Sequence, residues 1–164
     1  MCGIAGIVSF DGAPVAREVL QRMGAALAHR GPDAEGFLTD EAVDGPSVGL
    51  VHRRLSIIDL SHVADQPLAN EDGTVQALLN GEVYNFPERR ASLAARHTFR
   101  SQGDTEVIVH GYEDEGDAVV AGLDGMFAIA LWDARRRRLL LARDPFGKKP
   151  LYYWHDDWII GFAL

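Results

Sequence analysis

The amino-acid sequence predicts one α+β domain built around a sheet that is covered on both faces. Three observations lead there. Residues 126–132 are apolar on both alternating faces, with Phe127, Ile129 and Leu131 set against Ala128, Ala130 and Trp132. A strand of that kind is buried on both sides, so other layers must pack over each face of its sheet. Two stretches carry apolar residues at helical spacing, Val19, Leu20, Met23 and Leu27 in one and Val107, Ile108, Gly111 and Tyr112 in the other. Finally, the last third of the chain is a succession of short apolar runs with strand character, and 164 residues suffice to bury one sizeable core.

In chain order, a first strand is expected over residues 4–10, ended by a turn at Asp11-Gly12. Pro14 suits the first turn of a helix, which His29 and Gly31-Pro32 close. Strands follow at 36–39, 47–52 and 75–79, and helices at 87–96 and 105–115. Further strands are expected at 126–132, 139–143, 151–154 and 158–162. The basic block 135–138 lies between two of these and reads as a solvated hairpin turn. No repeat, low-complexity stretch or linker interrupts residues 1–164, which are taken as a single domain.

A formal net charge of −8 argues against binding a phosphate backbone. The longest apolar runs, such as 125–132, are far too short to span a bilayer. No basic region precedes an apolar stretch at the N-terminus, so no secretory signal is expected. The single cysteine rules out an intramolecular disulfide and fits a reducing, cytoplasmic setting. His29, His52, His62, His97, His110 and His155 show none of the short paired spacings that place two metal ligands on one face, so no metal site is expected. There is no dinucleotide fingerprint around Gly3 and Gly6 and no phosphate-binding loop.

The one cysteine is Cys2. Initiator methionine is removed when the next side chain is small, which would leave Cys2 with a free α-amine beside its own thiol. An α-amine titrates near about 7.7–8.0, so much of it is unprotonated around neutral pH and can accept the thiol proton. One residue then supplies nucleophile and base.

What surrounds Cys2 in the sequence gives this reading its context. Met1-Cys2-Gly3-Ile4-Ala5-Gly6-Ile7 resembles the opening of the class II glutamine amidotransferases, the N-terminal-nucleophile group, and is most similar to the glutaminase domain of glutamine-hydrolysing asparagine synthetase. Further blocks agree in order and spacing: His29-Arg30-Gly31-Pro32-Asp33, Arg54-Leu55-Ser56-Ile57-Ile58-Asp59, Leu79-Asn80-Gly81-Glu82-Val83-Tyr84-Asn85 and Asp104-Thr105-Glu106-Val107-Ile108. Asp124-Gly125-Met126-Phe127-Ala128 and Arg143-Asp144-Pro145-Phe146-Gly147, with Pro150-Leu151-Tyr152-Tyr153, carry the match almost to the end. The resemblance implies a four-layer αββα sandwich of the N-terminal-nucleophile hydrolase type and an activity that releases ammonia from glutamine.

Carried over residue by residue, the resemblance makes Cys2 the nucleophile and gives the oxyanion to the Asn80 side-chain amide and the Gly81 backbone N–H. Glycine lets a backbone amide approach a ligand closely, although Asn-Gly is also a common hairpin turn. Arg54 would clamp the α-carboxylate of glutamine, where a guanidinium can form two parallel hydrogen bonds; Arg53 is its neighbour and competitor. Ile57 and Ile58 would line the same pocket through backbone groups. Asp104 would hold the α-ammonium with help from Glu82, although Asp104 also sits where a helix N-cap belongs and Glu82 suits a structural ion pair. The Arg30-Gly31-Pro32-Asp33 and Asp144-Pro145-Phe146-Gly147 blocks read as structural turns.

The same resemblance implies no metal or organic cofactor for glutamine hydrolysis. ATP and magnesium are expected only in a synthetase domain, which the chain lacks, together with the Ser-Gly-Gly phosphate-binding motif of that domain. Expected partners are L-glutamine and a synthetase domain or subunit that receives the ammonia, with no nucleic acid and no membrane. The ending Gly161-Phe162-Ala163-Leu164 and the Lys148-Lys149 pair depart from the usual family pattern. Two alternatives stand beside this reading: a catalytically silent regulatory or binding module, and the same nucleophile acting on a different amide.

Overall fold

The computed structural model describes residues 1–41 and 45–164. In chain order the elements are β1 (Gly3–Ser9), α1 (Arg17–Leu27), β2 (Ala34–Asp40), β3 (Ser47–Arg54), β4 (Leu68–Ala69), β5 (Val75–Val83), α2 (Phe86–Leu93), α3 (Glu106–Glu115), β6 (Gly125–Asp133), β7 (Arg138–Arg143), β8 (Tyr152–His155) and β9 (Ile159–Ala163). They form two antiparallel sheets, one in the order β2-β3-β1-β9-β8 and one in the order β4-β5-β6-β7. No described helix is long and apolar enough to cross a membrane.

Alternation of side chains decides how the sheets stack. Ile4, Val8, Val48 and Leu50 of the first sheet meet Leu78, Ala128, Ala130 and Trp132 of the second in one buried cluster. The opposite face of the second sheet, with Ala77, Leu79, Phe127, Ile129 and Leu131, packs beneath Leu93 of α2 and Val107, Ile108 and Tyr112 of α3. On the outer face of the first sheet, Ala5 and Val51 pack against Leu27 of α1. The result is the expected four-layer αββα sandwich, with β6 buried on both sides because one face meets a sheet and the other meets helices.

Boundaries differ from the sequence reading where tertiary contacts intervene. α1 begins at Arg17 rather than at Pro14, since Val15 is buried in an extended approach and sits over Gly49, where an added Cβ would lie 2.6 Å from Val15 Cγ1. The two-residue β4 was not foreseen. β5 runs four residues past the expected end, straight through Asn80-Gly81-Glu82, because its whole length pairs with β6. The basic block is held by the chain's own carboxylates: Arg135 pairs with Asp72, Arg136 with Asp133, Arg137 with Asp40 and Arg138 with Asp117. Asp144 is indeed a turn-former, accepting the backbone N–H groups of Phe146, Lys148, Lys149 and Phe127.

Between the sheets, β3 buries His52 completely, with Nε2 at 3.4 Å from the Leu79 carbonyl oxygen and Nδ1 without a partner among the described residues. Burial, only partly offset by that carbonyl, pushes its pKa from 6.5 down to about 4. The unfolded chain therefore binds a proton between those values that the folded chain refuses, and stability falls as pH drops through that window. The expected loss from this residue is roughly 3 kcal/mol. Urea unfolding across this pH range should show it, and His52→Met should flatten the slope whatever its own stability. An unchanged slope in the variant would remove His52 from the account.

Candidate active site

Four segments converge on one cavity: the start of β1, the loop that follows β3, the far half of β5 and the chain entering α3. Cys2, Arg54, Ile57, Ile58, Asn80, Gly81, Glu82 and Asp104, every site residue expected from the sequence, line it together.

The Cys2 thiol lies against Leu55, receiving its backbone N–H at 3.4 Å, with the Leu55 carbonyl oxygen at 3.7 Å. Burial pushes the thiol pKa above its ordinary value, against the lowering influence of the Leu55 amide, the N-terminal charge and Arg54. With Met1 still attached, the sulfur is therefore held mainly as the thiol.

The edge of β5 supplies the most informative geometry. In an antiparallel strand, successive residues turn their N–H groups to opposite edges. Leu79 and Val83 face away from β6, and their N–H groups are taken by Gln66 Oε1 at 2.6 Å and Asp104 Oδ2 at 2.9 Å. Gly81 lies midway between them. Its opposite residue Phe127 spends its own N–H and carbonyl on Asp144, away from β5. The Gly81 N–H thus points to the cavity edge, with no partner among the described residues. Next to it the Asn80 side chain, 1% exposed, has both its oxygen and its nitrogen unbonded among the described residues. Asn80-Gly81 is no hairpin turn.

The need for glycine at 81 also has a cause other than the expected one. Its φ is 154°, and a Cβ would lie 2.0 Å from the Met126 carbonyl oxygen. The obstacle is the neighbouring strand, not the ligand space.

Arg54 is 6% exposed and donates through Nη1 to Ser61 O at 2.8 Å and Asp65 Oδ1 at 2.5 Å, and through Nη2 to Asp59 O. A guanidinium has five donors, so Nε–H and one Nη2 hydrogen stay available as a two-pronged edge. Arg53 is engaged with Glu35 and the Gly31 carbonyl instead. Asp104 does not cap α3: the N-cap is Thr105, without a side-chain cap, and the Asp104 carboxylate turns to β5. Burial raises the Asp104 pKa, the Val83 amide opposes this, and Glu82 adds to it. Neither Asp104 nor Glu82 makes a salt bridge among the described residues, so the suggested ion pair of Glu82 is not seen. Arg54 and Lys149 line the same cavity, but among the described residues neither forms a salt bridge with Asp104 or Glu82.

Several supporting residues went unread in the sequence. Arg30, taken as part of a turn, donates through Nε to the Cys2 carbonyl oxygen at 3.1 Å and so fixes the backbone of the thiol residue. Asp33 accepts the Ser56 N–H at 2.8 Å, steadying the loop that carries Ile57 and Ile58. Gly31 packs so closely that a Cβ would lie 2.4 Å from the Arg53 carbonyl group. The motif containing these three was the available signal. Gln66 had none: it bridges the Leu79 N–H and, at 3.1 Å, the Thr105 hydroxyl. Lys149 is buried at the cavity wall with Nζ 3.0 Å from Met1 Sδ.

A family described as the glutamine amidotransferase domain matches residues 1–163. The chain belongs to that family. It is 45% identical over 157 residues to asparagine synthetase [glutamine-hydrolyzing] 2 of Bacillus subtilis (strain 168), a match covering 93% of this chain and 20% of the relative. It is 41% identical over 165 residues to asparagine synthetase [glutamine-hydrolyzing] 3 of Arabidopsis thaliana, covering 99% of this chain and 27% of that one. The chain thus spans less than a third of the length of these relatives. Among solved structures, glutamine phosphoribosylpyrophosphate amidotransferase from B. subtilis superposes with a TM-score of 0.78 at 19% identity, over 99% of this chain and 41% of that chain. That likeness establishes a shared fold.

In this glutamine amidotransferase domain the shielded thiol has a direct readout. While Met1 is retained, iodoacetamide should alkylate Cys2 more slowly than a free cysteine at about pH 8, and the rate should keep climbing where an ordinary thiol has levelled off. A plateau at or below the ordinary thiol range would contradict the burial described.

Proposed function

We propose that the domain hydrolyses L-glutamine to glutamate and ammonia through a thioester on Cys2, after removal of Met1. The observation that carries this reading is the Asn80 side-chain amide and the adjacent Gly81 N–H, both without a partner among the described residues, on the same cavity as the chain's only thiol. A buried donor left unpaired is costly, by about 1–3 kcal/mol; the Asn80 amide is such a donor, and with the Gly81 N–H at the cavity edge it suits a negative charge that exists only during reaction.

In this mechanism the Cys2 α-amine takes the thiol proton and the sulfur attacks the side-chain amide carbon of glutamine. The Asn80 Nδ2–H and Gly81 N–H donate to the tetrahedral oxyanion; such donors lower barriers by roughly 3–4 kcal/mol each. The intermediate collapses with cleavage of the C–N bond, and the protonated amine gives its proton to the departing ammonia. Water then loses a proton to the same amine and attacks the thioester, releasing glutamate and returning the thiol. Nucleophile, base and oxyanion donors are all protein groups, so hydrolysis needs neither metal nor organic cofactor.

Substrate recognition follows from charge. The free Nε/Nη2 edge of Arg54 suits the α-carboxylate. Asp104, with Glu82 beside it, suits the α-ammonium, whose arrival removes the cost of a buried carboxylate without a salt bridge. Ile57 and Ile58 line the mouth. The ammonia serves an amidation of the asparagine-synthetase type, a reading supported by the names and greater length of the relatives; ATP and magnesium belong to that synthetase portion. A thiol nucleophile suits the reducing cytoplasm.

Cys2→Ala should abolish glutamate release from glutamine while leaving the circular dichroism spectrum unchanged; substantial turnover by the variant would overturn the nucleophile assignment. Asp104→Asn keeps an oxygen for the Val83 N–H but loses the charge. It should raise the KM for glutamine about 100-fold, the scale expected for removing a charged partner, with a smaller change in kcat. An unaltered KM would remove Asp104 from substrate binding.

A further inference from the structure

A second cluster of chemically capable side chains lies on the helical layer, on the face of α3 beyond the turn that follows Asp104. His110 and Glu113 sit three residues apart on α3 and so share one face of it. His97, just after α2, and Glu71, in the turn between β4 and β5, close around them, and one donor atom from each of the four lies within 4.8 Å of all the others.

Four His–carboxylate spacings lie close to those of a coordination shell, two of them to different oxygens of Glu71. His110 Nδ1 is 3.3 Å from Glu113 Oε2 and 3.4 Å from a Glu71 oxygen, and His97 Nδ1 is 3.5 Å from Glu113 Oε2 and 3.6 Å from the other Glu71 oxygen. Ligands at about 2.0–2.1 Å from a tetrahedral centre are about 3.3–3.4 Å apart. The outer atoms are arranged to suit. His97 Nε2 faces Asp114 Oδ1 at 3.2 Å. His110 Nε2, on a ring only 1% exposed, has no hydrogen-bond partner among the described residues and lies 3.7 Å from the buried Glu106 carboxylate. Asn70 holds Glu113 Oε1 at 2.8 Å, turning Oε2 inward. Imidazoles whose far nitrogens face carboxylates are the usual setting of metal-bound histidines.

We propose that Glu71, His97, His110 and Glu113 form a binding site for one zinc ion, which clips α3 to the chain after α2 and to the turn before β5. Two carboxylates cancel the charge of the dication, and two imidazoles select a transition metal over calcium or magnesium, which demand more oxygen ligands. Glu71 and Glu113, with side chains 40% and 28% exposed, leave a path for entry. With four protein ligands the site is closed, so its role is structural rather than catalytic. Histidine spacing in the sequence concealed it because the two rings come from different segments and the carboxylates complete the set. The alternative occupant is a proton: burial works against a charged His110, yet the carboxylates of Glu106, Glu113 and Glu71 outweigh it and raise its pKa.

The test uses the full chain without a polyhistidine tag, stripped with a chelator, in the Cys2→Ala background so that the thiol cannot bind metal. Zinc chloride should bind at one equivalent by calorimetry and raise the unfolding midpoint, and cobalt chloride should give the intense visible absorption of four-coordinate Co²⁺. His97→Ala and Glu113→Gln, chosen because His110 is too buried to replace safely, should each weaken zinc binding about 100-fold or more while leaving the apo spectrum unchanged. Absence of stoichiometric binding, or binding indifferent to both substitutions, would show that the cluster holds only protons and overturn the proposal.

Discussion

The site depends on one stretch of strand edge. β4 pairs with β5 only at Gln76 and Ala77, and β5 then runs on for six residues with no strand on that side. Outward-facing backbone groups in a buried place must find partners, and Gln66 and Asp104 serve two of them. The third N–H, at Gly81, is left over between these two. A regular fourth strand continuing along this edge would have satisfied all three donors and erased the site. The late start of β4 is therefore what leaves an unpaired N–H on the cavity edge.

The groups around that edge each hold structure and present chemistry at once. Arg54 spends three donors on Ser61, Asp65 and Asp59, which ties down the loop bearing Ile57 and Ile58, and keeps two for the cavity. Asp104 accepts the Val83 amide with one oxygen and brings α3 to β5. Arg30 grips the Cys2 carbonyl. Positions of the reactive groups are fixed by backbone contacts rather than by packing alone, which suits a site whose polar atoms must stay placed while partly unsatisfied. The same helix serves two places: its approach reaches the Cys2 cavity, and its middle turns carry the histidine–glutamate cluster.

Much of this was legible in the residues. The two-faced apolar pattern of residues 126–132 announced a sheet between a second sheet and helices, and it lies in β6 as read. The motif blocks around Cys2, Arg54, Asn80 and Asp104 named side chains that do share one cavity. Arg54 lines that cavity and Arg53 does not, since a strand turns neighbours to opposite faces. Less legible were the helix start displaced by the buried Val15, the supporting part of Gln66, and the true obstacle behind Gly81, which is Met126 on the adjacent strand.

The sequence by itself determined which faces are apolar, where the one thiol lies and which residue types accompany it, because these are properties of local order along the chain. Only the tertiary structure decided which N–H groups stay unpaired, how many donors Arg54 has left and that His97 meets His110. Those depend on where partner strands end and which distant segments touch, and hydrogen bonds between residues far apart in sequence leave no periodic trace in it.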